Sequence, residues 1–172
     1  MRVLCLFDGL TGVSFHRLYT PYVRLQIDEG ITVDVSTNID EWASLDFTKY
    51  DVLVTNRWLG KYQYNILPLL DKAKLPFIID IDDYWVIPKH NPSYQFYKAY
   101  IKNGIKDALS FADAVTCTTE QLKEKVLEFN NNVTILPNAL DLTQAQSNHE
   151  IEHKHTIGMV GGLSNTDDRK LH

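Results

Sequence analysis

Residues 76–85 read Pro76-Phe77-Ile78-Ile79-Asp80-Ile81-Asp82-Asp83-Tyr84-Trp85. A near-continuous apolar run without in–out alternation is the pattern of a strand covered on both faces, as in a parallel sheet. This one ends in three carboxylates and two aromatics. In open α/β sheets that end of the strand is where ligands bind. Working outward, five more short runs rich in Val, Ile and Leu flank it: Val3–Phe7, Ile31–Val35, Val52–Thr55, Ala114–Thr118 and Val133–Leu136. Helical spacing fills the intervals. Phe15, Leu18, Tyr19, Tyr22 and Leu25 share a face, and Glu29-Gly30 supplies a C-terminal stop. Tyr64, Leu67, Leu70 and Ala73 line a second helix with Pro68 placed near its start, and Tyr94–Leu109 is the longest. Thr119–Phe129 follows, with Glu120 in its first turn. Strand–helix alternation predicts a Rossmann-like, doubly wound α/β domain with a mainly parallel sheet of about six or seven strands.

Composition narrows the class. The chain has 172 residues, 44% hydrophobic and 23% charged, with a formal net charge of −5. Those are globular values. An acidic chain is not built to coat a nucleic-acid backbone, so no nucleic-acid partner is expected. The 2 cysteines, Cys5 and Cys117, both fall in strand-like runs, without CxxC or zinc spacing. They read as buried thiols of a reducing compartment. No signal-peptide pattern opens the sequence and no apolar stretch reaches the ~20 residues of a membrane helix, so a cytoplasmic protein is expected.

Three loops could carry chemistry. In the first, Gly9 and Gly12 precede a helix start, where small residues either let a phosphate approach backbone N–H groups or only make a tight turn. The third glycine of a dinucleotide fingerprint is missing, and the second strand ends Val35-Ser36 without the ribose-binding acid, which argues against a nicotinamide enzyme. His16 and Arg17 follow on the first turn; Arg17 offers a planar fork to a carboxylate or phosphate. Pro21 predicts a kink, or a restart with Thr20 as N-cap. The second loop holds Asp80, Asp82 and Asp83, whose mutual repulsion calls for a cation, an arginine or ligand hydroxyls, with Trp85 suited to the face of a sugar ring. Asp80-Ile81-Asp82 is also a DxD pattern of the kind that holds a metal–diphosphate in the GT-A glycosyltransferases. Asn56-Arg57-Trp58 ends the third strand, readable as site residues or as a helix start. The third loop, 138–154, is polar and reads as a linker, and Thr156-Ile157-Gly158-Met159-Val160-Gly161-Gly162 then starts a new strand.

In order, these pieces resemble the N-terminal half of a GT-B glycosyltransferase of the group 1 (family 4) type. The carriers are Gly12 leading into Arg17 and Pro21, the Asp80/Asp82/Asp83 strand end, Ala112-Asp113-Ala114-Val115-Thr116, Pro137-Asn138 with Asp141, and Ile157-Gly158-Met159-Val160-Gly161-Gly162. The resemblance implies a Rossmann-like acceptor-side domain over 1–137, a linker over 138–154, and the opening of a donor domain over 155–172. It implies transfer of a sugar from a nucleotide-diphosphate sugar to a hydroxyl of a glycan, lipid-linked or protein acceptor, with retention, no metal and no cofactor besides the donor. By position, Gly12, Gly161 and Gly162 would approach the donor phosphates. His16, Arg17, Asp80, Asp82, Asp83, Trp85 and Asn138 would face acceptor or sugar, with Asp82, Asp83 and His16 as catalytic candidates. The family's Glu-x7-Glu donor motif is absent, so this stretch alone is expected to be inactive. Two rivals remain: a stand-alone flavodoxin-like binding module, and a metal-dependent GT-A transferase using Asp80 and Asp82. An aromatic surface could touch a membrane-bound acceptor, although no basic amphipathic helix stands out.

Overall fold

The computed structural model describes residues 1–7 and 9–139, without the side chains of 99 and 100. Six strands form one all-parallel sheet: β1 (Arg2–Leu6), β2 (Thr32–Ser36), β3 (Val52–Asn56), β4 (Phe77–Ile81), β5 (Ala114–Cys117) and β6 (Val133–Ile135), in the order 2-1-3-4-5-6. This is the flavodoxin-type order with one added strand. Four helices of seven or more residues accompany it: α1 (Thr20–Glu29), α2 (Gln63–Ala73), α3 (Lys102–Phe111) and α4 (Glu120–Val126). All six sequence runs lie on observed strands to within a residue or two at their ends.

The two sheet faces are unequally covered. Leu4, Leu6, Leu53, Phe77, Ile79, Ile81 and Val115 point to one side, where α2, α3 and α4 bury Ile66, Leu70, Ile105, Leu109 and Val126 against them. Val3, Cys5, Phe7 and Val54 point to the other, under Leu18 and the half-buried Tyr19 and Tyr22. α1 buries no residue completely. Both thiols are fully buried, and desolvation pushes Cys5 up to about 12.

The helices depart from the sequence reading at their prolines. The first helical run begins at Gly12, capped by Thr11, whose hydroxyl accepts from the Ser14 N–H. Thr20 is no cap: it lies within the helix, and its N–H donates to the Phe15 carbonyl across a π-turn over Phe15–Tyr19. Pro21 cannot donate to a carbonyl four residues back, and the wider turn just before it absorbs the mismatch without breaking the rod. Gly30 (φ 64°) terminates α1 in the left-handed conformation, as Glu29-Gly30 suggested. Pro68 sits in mid-α2 rather than near its start, on the exposed side. Between β2 and β3 there is no long helix but two short 3₁₀ turns, Trp42–Ser44 and Phe47–Lys49, which drop Trp42 and Phe47 into the main core. No described helix is long and apolar enough to cross a membrane. The linker from 140 onward, the restart at 156–160, Gly161 and Gly162 lie outside the described residues.

Candidate functional site

The strand order reverses direction between β1 and β3: β2 lies on one side of β1, and β3 and all later strands on the other. The loops leaving the carboxyl ends of these two strands must therefore diverge, and the crevice between them is the expected ligand site of such a sheet. A cavity of about 1040 Å³ opens there, lined among others by Phe7, Ser14, Trp42, Arg57, Trp58 and Phe96. Its size is at the upper end of small-molecule sites, which run roughly 300–1,000 Å³. Among the described residues its lining includes two cations, Arg57 and Lys61, and no carboxylate. The indole Nε1 of Trp42 is the one buried side-chain polar atom among the described residues without a hydrogen-bond partner.

The wall formed by the β3 loop is held from several sides. The Trp58 N–H donates to the Asn56 carbonyl (2.8 Å), and Arg57 between them has φ 63°. A two-residue hydrogen bond around a positive-φ residue is the rare, strained form of γ-turn. A non-glycine residue there costs of order 1–3 kcal/mol and persists only where its surroundings fix it. Those surroundings are visible. The Arg57 N–H donates to the Asp80 carbonyl (2.9 Å), and Asn56 Nδ2 donates to the same oxygen (3.2 Å). Buried Gln63 accepts from the Leu59 N–H (3.2 Å) and donates through Nε2 to the Gly104 carbonyl (2.8 Å), tying the loop to α3. The Trp58 ring lies directly on Gly104, where a Cβ would come within 2.6 Å of its Cε3. Only glycine lets the indole sit there.

The three carboxylates of the β4 end are divided between two arginines. Arg17, from the π-turn, forms a bidentate pair with Asp80 (Nη2–Oδ1 2.5 Å, Nε–Oδ2 3.0 Å), with side chains 8% and 3% exposed. Thr116 donates to the same carboxylate (2.6 Å), while Arg17 Nη1 donates to the Leu136 carbonyl (2.7 Å) and to Asn138 Oδ1 (3.3 Å). Burial works to lower the Arg17 pKa, but the hydrogen bonds and attraction of Asp80 outweigh it and hold the guanidinium above its ordinary value. Arg57 takes the other two: Asp82 through two bonds (Nε 3.0 Å, Nη2 3.2 Å) and Asp83 through one (Nη2 2.7 Å). Its pKa is also raised, with Asp82 and Asp83 prevailing over burial. Beside them the Tyr97 hydroxyl is pushed up to about 12, chiefly by burial, so it stays protonated.

This division bears on each residue singled out in the sequence. Asp80 and Asp82 do not share a site, because β4 ends at Ile81 and Asp82 turns to Arg57 while Asp80 faces Arg17. A guanidinium on each carboxylate is a poor setting for a cation, and among the described residues no group of three or more His, Cys, Asp or Glu could hold one. Arg17 and Asn138 are brought together with Asp80, as a fastener joining the first helix, β4 and the end of β6. Trp85 lies in the main core, 2% exposed, with its ring edge-on to Phe129. His16 is exposed, edge-on to the Phe15 ring. Gly12 opens the first helical turn, with nothing within 4 Å of a Cβ placed on it. Gln63 and Gly104, which nothing in the sequence singles out, hold and shape the wall around Trp58. The signal was Asn56-Arg57-Trp58 at a strand end, which became decisive only once the strand order made β3 a border of the switch point.

No family model matches the chain, and no curated protein matches it in sequence. Among solved structures it is similar to a conserved protein from Enterococcus faecalis V583, at 10% identity and a TM-score of 0.36, over 79% of this chain and 92% of that one.

Proposed function

We propose that this domain is the acceptor-side half of a GT-B-type glycosyltransferase, moving a sugar from a nucleotide-diphosphate sugar to an acceptor hydroxyl. The supporting observation is the aromatic-walled cavity at the β1/β3 switch point, pre-shaped by the strained Arg57 turn and the Trp58–Gly104 contact. In this reading the acceptor ring lies against Trp58, with Asn56 on the same wall to offer a hydrogen bond. Among the described residues no carboxylate or histidine lines the cavity. In this reading the domain's described residues contribute orientation of the acceptor. The diphosphate and its stabilising charges come with the donor domain, which accords with a retaining, metal-independent transfer.

A second reading, a stand-alone binding module, draws on the same cavity being walled by this domain's own loops. One experiment separates them. The protein expressed from its complete reading frame is supplied with UDP-, GDP- and ADP-sugars and a panel of glycoside acceptors, and nucleoside diphosphate release is followed. The transferase reading expects acceptor-dependent release, with Trp58→Ala raising the acceptor KM about tenfold or more and leaving the donor KM unchanged. A folded protein that binds an acceptor yet releases no nucleotide from any donor leaves the binding module.

A further inference from the structure

We propose that Arg57 is an anion anchor: its guanidinium exchanges Asp83 for a phosphate or carboxylate on a ring-bearing ligand whose ring rests against Trp58. The proposal rests on the cavity being the ligand site described above and adds the ligand's chemistry.

Four observations lead there. First, Arg57 lines the cavity, whereas Asp82 and Asp83 do not, so the guanidinium stands between the cavity and its acids. Second, the two acids hold it unequally. Asp82 makes two bonds and its side chain is 10% exposed; Asp83 makes one and is 73% exposed. Nη2 has two hydrogens, one for each of its bonds, and Nη1 makes no hydrogen bond among the described residues. A solvent-facing carboxylate held by a single N–H is a contact of small net worth, readily displaced by an anion that also fills the cavity. Third, the chain carries a net charge of −5, yet among the described residues the charged side chains lining this cavity are the cations Arg57 and Lys61. Fourth, the backbone keeps an arginine at φ 63°, where glycine would be unstrained. Strain retained at a cavity wall is accounted for when the side chain it aims is the one the ligand uses. Arg57 then supplies charge-assisted hydrogen bonds, and the pinned Trp58 supplies a flat face.

The test uses the whole chain, ¹⁵N-labelled, titrated with phenyl phosphate, phenol and inorganic phosphate while the Trp58 indole N–H resonance is followed. Phenyl phosphate is expected to shift it saturably and to bind tighter than either fragment. Asp83→Asn removes the competitor from an exposed site without threatening the fold, and is expected to tighten phenyl phosphate about two- to fivefold and leave phenol unchanged. Arg57→Ala is expected to weaken it about tenfold or more. Phenol binding as tightly as phenyl phosphate, or Asp83→Asn leaving its affinity unchanged or weaker, overturns the proposal. Co-sedimentation with phosphatidylcholine vesicles containing phosphatidylinositol, competed off by phenyl phosphate, would assign the anion to a lipid-linked ligand; phenyl phosphate binding without co-sedimentation would assign it to a soluble one. Because the readout is a resonance and not sugar transfer, a transferase without anion preference sinks this inference and spares the reading above.

Discussion

Replacing Asp80 with alanine removes the centre of the most buried charge network among the described residues. Asp80 accepts from Arg17 Nε (3.0 Å) and Nη2 (2.5 Å), from Thr116 Oγ1 (2.6 Å) and, at its longest, from Asn56 Nδ2 (3.5 Å). With its carboxylate gone, a guanidinium only 8% exposed keeps the Leu136 carbonyl and Asn138 Oδ1 as partners, neither of them charged. Leaving a buried charge uncompensated costs about 3–5 kcal/mol. For a chain of this size each kcal/mol lowers Tm by roughly 2–4 °C, so Asp80→Ala should melt about 6–20 °C lower. The cost lies in the orphaned charge rather than in the worth of the pair, so the double variant Arg17→Met/Asp80→Leu should recover most of it. Thermal and urea unfolding of the wild type, Arg17→Met, Asp80→Leu and the double variant close the cycle, with Asp80→Ala measured alongside. A loss below about 1 kcal/mol for Asp80→Ala, or a double variant less stable than both singles, would refute the view of this pair as a fastener. It would return Asp80 to the candidates for ligand contact.

Two further outcomes follow from close packing and from burial. Gly104→Ala would place a Cβ 2.6 Å from the Trp58 ring and must displace the indole or the helix. A loss of about 1–3 kcal/mol is expected, with a red-shifted Trp58 emission and weakened cavity binding; unchanged emission would mean that the wall is soft. The buried Cys5 thiol has an ordinary value of 9.0 and is pushed up to about 12 by desolvation, and Tyr97 is raised to about 12 mainly by the same cause. The unfolded chain therefore releases these protons first as pH rises. The stability they confer is complete below about pH 9, falls above it, and is exhausted near pH 12. Urea midpoints should drop through that window, less steeply for Cys5→Ala, and neither thiol should react with a disulfide reagent at pH 8 until the chain unfolds; a midpoint flat from pH 9 to 11 would contradict the assignment.

The strands were legible because a parallel sheet covered on both faces writes itself as unbroken apolar runs, and little else in a sequence does. Phe77-Ile78-Ile79-Asp80-Ile81 needed no context to be read as a buried strand, and β4 has those bounds. Prolines were legible as disturbances but not as solutions. Pro21 announced a lost hydrogen bond, and nothing local said that a π-turn over Phe15–Tyr19 would absorb it. The site was half legible for a related reason. Asp80, Asp82 and Asp83 are legible in the sequence as acids in need of partners, an arginine among them. Arg57, however, stands 25 residues from Asp82 in sequence, and nothing local pairs them. That pairing depends on β3 lying next to β4 in register Asn56↔Asp80, a fact of topology. The same topology decides which strand end borders the switch point. It moves attention from the acids, which neutralise one another's partners, to the Arg57–Trp58 turn beside them, where strain, charge and an aromatic face meet one cavity. Local chemistry can nominate residues at every strand end, but only strand order chooses among the ends.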